Sequence, residues 1–177
     1  MVRVSILLIL FLALSGCKHV LGPDEELTLE CKSFNNYSLR LDGYYYVSKD
    51  KSSENTAAFF LYQNGVIHSF GAFPITEIKE REKLFYDSIF IEKVRKIKFF
   101  WGVFDVDEKD ITIEMWYPGN GPLLVYRESG KILNDTTFII IESSRLDGTE
   151  KKSVNHVYRF REFSPKPDSL NVFLCTK

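Results

Sequence analysis

The chain has 177 residues, enough for one domain with its own core. Its 23 basic and 24 acidic side chains nearly cancel, which excludes the basic surface that nucleic-acid binding needs. Nine Tyr, 15 Phe and two Trp can fill a core without long aliphatic helices.

Met1, Val2 and Arg3 precede an apolar run from Val4 to Leu14 broken only by Ser5, the layout of a signal peptide over residues 1–16. A membrane-crossing helix needs about 20 apolar residues, so this run is read as an export signal. Leu14, Ser15, Gly16 and Cys17 follow, a Leu and two small residues before a Cys, and this segment resembles the lipobox of bacterial lipoprotein precursors. The resemblance implies cleavage between Gly16 and Cys17, a diacylglycerol on the Cys17 thiol and a further acyl chain such as palmitate on the new amine. One acyl chain binds a bilayer marginally and two or three bind it lastingly, so the membrane itself is the implied partner. The alternative is an ordinary Cys17 thiol beside a conventional cleavage site at Ala13. Lys18, where an inner-membrane lipoprotein often carries Asp, points to the outer membrane of the cell envelope.

Residues 17–30 contain Gly22-Pro23 and the acidic run Asp24, Glu25 and Glu26, and read as a flexible lipidated tether. Residues 31–177 then form the folded domain. Once Cys17 carries lipid, Cys31 and Cys175 remain as a pair in an oxidising compartment, and a disulfide between them would join the two ends of the domain. Two separate reduced thiols are the alternative.

From Leu39 onward, aromatic and β-branched residues alternate between turn signals, the pattern of an antiparallel β protein. Strands are predicted at 41–48, 58–63, 66–72, 99–106, 110–117, 123–133, 136–144 and 154–163. Asn64-Gly65 predicts a type I′ hairpin turn, with positive φ at both residues. Between the third and fourth strands, Thr76–Lys98 has helical character in its charged first half, while IFIEKVRKIKFF fits either helix or strand. The expected fold class is mainly β, a single antiparallel eight-stranded up-and-down barrel with one helix between its middle strands.

Nucleophile–base pairs, metal motifs and phosphate loops are not evident, so neither an enzyme nor a cofactor or metal is expected. His68 shares strand parity with Val66 and Phe70, and His156 with Val154, Tyr158 and Phe160, so either can face inward as a core histidine. Asp105, Asp107, Glu108 and Asp110 surround one turn without calcium-loop spacing and read as a solvated hairpin tip. If the sheet closes, an inward set drawn from Tyr45, Val47, Trp101, Ile113, Met115, Phe138, Tyr158 and Phe160 lines the interior. An eight-stranded barrel either fills with such side chains or holds one small ligand.

Gly43-Tyr44-Tyr45, the meandering strands after it and the GKILNDTTFIII stretch over 130–141 resemble lipocalin-like domains of bacterial lipoproteins. Tyr45 stands where that family usually has Trp, and the helix lies between middle strands instead of after the last. The resemblance implies binding of a small hydrophobic molecule or a non-catalytic envelope role. Two hypotheses follow: a membrane-anchored ligand binder, and an accessory protein with a filled core that binds another envelope protein.

Overall fold

The computed structural model describes residues 22–34, 38–47 and 55–175. The expected leader, Cys17 and Lys18 lie outside the described residues. Eight strands, β1 (Gly43–Val47), β2 (Asn55–Leu61), β3 (Val66–Pro74), β4 (Trp101–Asp107), β5 (Asp110–Tyr117), β6 (Leu124–Asn134), β7 (Thr137–Arg145) and β8 (Lys152–Glu162), run in sequence order around a closed barrel. Every neighbouring pair is antiparallel, including β8 with β1. This is the predicted up-and-down architecture.

Alternation decides what each strand buries. On β5, Ile111, Ile113 and Met115 enter the interior cluster, while Glu114 and Trp116 face the outer wall. Tyr45, Val47, Phe59, Leu61, Ile67, Phe104, Ile132, Phe138, Ile140 and Tyr158 complete the inner face. A second apolar layer lies outside the barrel, where Tyr44, Phe60, Phe70 and Phe85 meet with ring centroids 4.4 to 6.0 Å apart. Trp101 belongs to this outer layer, donating through Nε1 to the Val94 carbonyl at 2.8 Å. Its expected place in the interior set is therefore corrected. His68 is outward as well, stacked on Trp101 at 4.3 Å.

Two short helices cover that layer, α1 (Ile78–Leu84) and α2 (Ser88–Val94), flanked by single 3-10 turns at Ile75–Glu77 and Lys98–Phe100. Of the stretch that fitted either helix or strand, residues 89–94 are helical because Asp87 caps them, its carboxylate accepting from the Ile89 and Phe90 amides at 2.8 and 3.4 Å. The β2–β3 turn also differs from expectation. Only Gly65 has positive φ, at 81°, and its amide donates to the Tyr62 carbonyl at 3.0 Å. Such a turn places one left-handed glycine at its end instead of two such residues at its centre. A side chain at Gly65 would also strike the Lys32 backbone at 2.7 Å.

Residues 24–31 are bound to the barrel. Glu25 and Arg145 form an ion pair, the Trp116 indole donates to the Glu25 carbonyl at 2.6 Å, and Thr28 and Leu29 bond to Glu114. Residues 24–29, read from the sequence as part of the tether, make these contacts with the wall. A Cys31–Cys175 disulfide joins the two ends across 144 residues of sequence. Loop closure of that size stabilises by at most about 5 kcal/mol in the chain-entropy account.

Candidate functional site

The two ends of the barrel differ in how they are filled. One end carries the 62–65, 108–109 and 135–136 turns and is sealed. There, Phe34 packs on Phe104 at 5.5 Å and Leu39 is buried under the strands. The Tyr45 hydroxyl donates toward the Asp135 and Arg40 carbonyls at 2.9 and 3.2 Å, and the Lys166 ammonium donates to the Leu41 and Leu61 carbonyls. Burial lowers the Lys166 pKa to about 8, so the ammonium is charged at neutral pH. Above this plug, Tyr45, Phe59, Phe138 and Tyr158 form a continuous block, with Phe138 and Tyr158 stacked at 4.8 Å.

The opposite end, at the 118–123 and 146–151 loops, is built differently. Cross-strand register puts Glu128 beside Ile113, Tyr126 beside Met115 and His156 beside Ile140, so all three share the inner face. Tyr117 follows Met115 by two residues and faces the same way. On the facing wall the inward positions are small: Ala57 on β2, and Ser69 and Ala72 on β3. A bulge at Phe70-Gly71, with Gly71 at φ 76°, returns Ala72 to the inner face and Phe73 to the outer layer.

Accessibility separates the halves. Tyr45, Phe138 and Ile140 are fully buried, whereas Tyr117, though inward, is 39% exposed. Ala57, Ser69, Tyr126, Glu128, Ser143 and His156 are half-buried and Ala72 is exposed. Inward side chains that stay accessible are the walls of a cup. Beneath these walls the inner face is packed, with Ile113, Ile140 and Tyr158 at most 4% accessible and Met115 6%.

The walls are chemically mixed. Enclosure by protein raises the Tyr117 hydroxyl pKa, and the Glu128 carboxylate and Tyr126 raise it further. Burial likewise raises Tyr158, with added repulsion from Glu128 and Tyr117. The Tyr117 and Tyr158 hydroxyls therefore stay protonated donors within the field of Glu128, while the Tyr126 hydroxyl donates to Glu150 at 2.7 Å. Met115 adds a polarisable apolar surface.

Of the residues expected to line a ligand space, Met115 lies directly under the accessible walls, and Ile113 and Tyr158 are buried in the packed layer beside it. Tyr45, Phe138 and Phe160 belong to the packed inner half, with Phe160 under the Arg40 guanidinium at 4.4 Å. Val47 is inward and buried, and Trp101 is outside. Sequence reasoning missed Tyr117, Tyr126 and Glu128. Their signal was strand parity with Met115 and Ile113, which becomes readable once the β5–β6 register is known.

Among the described residues, no three His, Cys, Asp or Glu gather as a metal site, and no helix is long and apolar enough to cross a membrane. Comparison with family models, with curated proteins and with solved structures finds no match to this chain.

Proposed function

We propose that this chain is a lipid-anchored protein of the bacterial envelope that holds a small molecule in the barrel cup. Cleavage after Gly16 and lipidation of Cys17 provide the anchor, and an outer-membrane position fits Lys18. One observation supports ligand binding above all: inward side chains are accessible at one end of the barrel and sealed at the other. The occupant has an apolar body that lies among Ala57, Ala72, Tyr117 and Tyr126, above Met115. It also has a polar group that bonds to the Tyr117 hydroxyl or the Glu128 carboxylate.

The test is titration of the mature domain with N-phenylnaphthylamine, an apolar fluorophore that brightens on leaving water. Saturable binding is expected. Ala57→Leu, which adds volume to an inward wall without removing a bond, should weaken it at least about tenfold. Undetectable binding, or equal binding by the Ala57→Leu variant, rejects the cup as the site.

A further inference from the structure

Toward the N-terminus the chain climbs the outer wall. Cys31 lies at the sealed end beside Gln63 and Asn64. Thr28 and Leu29 are bonded halfway along β5 at Glu114. At the mouth, the Glu25 amide donates to the Leu123 carbonyl at 3.0 Å, and the Asp24 carboxylate accepts from the Leu123 amide at 2.9 Å. The Lys98 ammonium holds the same carboxylate at 3.2 Å. Gly22 then sits against Pro122, where an added Cβ would be 3.9 Å from the proline ring.

The first described residue is thus on the mouth loop, five residues from Cys17. Extended chain spans at most about 3.6 Å per residue, so the anchoring residue is within about 18 Å of that loop. The sealed end lies farther than that from Gly22. An 11-residue strand such as β6, tilted as barrel strands are, puts its 135–136 turn about 25 Å beyond the mouth. Exposed apolar side chains stand at both ends: Ile75 and Phe99 at the rim, 42% and 37% accessible, and Leu133 before the 135–136 turn, 58% accessible, so the tether length is what separates them.

We infer that the barrel stands mouth-down on the bilayer that holds Cys17, with Ile75, Phe99 and the 118–122 loop against the lipid surface. The cup then exchanges its occupant with the membrane, and its ligand class is a lipid-phase amphiphile instead of a water-dissolved solute. This inference rests on the proposed lipidation and on the cup as the ligand site.

The experiment uses the lipidated full chain in phosphatidylcholine–phosphatidylglycerol vesicles, with bimane attached through Asn120→Cys at the mouth loop or Leu133→Cys at the sealed end. Both positions are exposed, so the fold tolerates the label. Nitroxide-headgroup lipids quench bimane over short range, and the barrel height separates the two probes. Quenching at residue 120 should exceed that at residue 133 by at least about twofold. Equal or reversed quenching in protein that floats with the vesicles overturns the orientation alone. Protein that does not float, or floats equally as Cys17→Ala, overturns the anchor and the orientation together. Loss of N-phenylnaphthylamine binding in the unlabelled domain removes the ligand reading independently.

Discussion

His68 is almost fully buried against Trp101 and Phe85, and neither ring nitrogen has a hydrogen-bond partner among the described residues. Burial lowers its pKa from 6.5 to about 3, against a weaker pull upward from Asp168. The folded state keeps His68 neutral while the unfolded chain protonates it below pH 6.5. Stability therefore falls as pH drops from 6.5 toward 3, by up to about 1.4 kcal/mol per pH unit for such a group. His68→Phe should remove that slope in urea unfolding between pH 6.5 and 5, while changing stability at pH 8 by less than about 1.5 kcal/mol. An unchanged slope places the acid sensitivity elsewhere. Parity in the sequence correctly grouped His68 with Val66 and Phe70. It gave no means to say which side of the sheet was inside, because helices bury the outer face of this wall as fully as the barrel buries the inner one. Trp101 was misplaced for the same reason.

Glu114 is the clamp of the N-terminal segment. It faces outward from β5, fully buried under residues 28–29, and accepts from the Thr28 amide at 2.7 Å, the Leu29 amide at 2.9 Å, the Thr28 hydroxyl at 2.8 Å and the Arg127 guanidinium. Burial pushes its pKa up, and bonds from Leu29, Arg127 and Thr28 outweigh that, leaving it below 4.5. Its stabilisation is complete above the ordinary carboxylate pKa and is lost as pH falls through the lowered value, a window below that of His68. Every partner is a donor, so the amide of Glu114→Gln must oppose one of them. A cost of about 2–4 kcal/mol is expected in urea unfolding at pH 7, with the His68 slope retained. A cost under about 0.5 kcal/mol means the segment is not held there. The strands and their order were legible because alternation is local. The bonds of Asp24, Glu25 and Thr28 were not, since each joins residues 74 to 120 positions apart and the local composition is that of a spacer.

At the scale of the whole molecule, the sequence posed a choice between a filled barrel and a hollow one, and the structure divides the barrel into both. A packed aromatic block, with Phe34, Leu39 and Lys166 beneath it, closes one half. Tyrosines, a carboxylate and small residues leave the other half accessible. That division depends on register, because Tyr117, Tyr126 and Glu128 reach the interior only through their pairing with Leu124, Met115 and Ile113. The most direct measurement uses a property of the composition: the chain has two methionines, Met1 and Met115, so a mature domain starting at Cys17 has one. Its 13C-labelled methyl group gives a single NMR signal from directly under the cup walls. On titration with N-phenylnaphthylamine that signal should shift saturably in the wild-type domain, and should not shift in Ala57→Leu. A Met115 signal that stays fixed while the fluorophore binds would place the ligand outside the barrel and contradict the account.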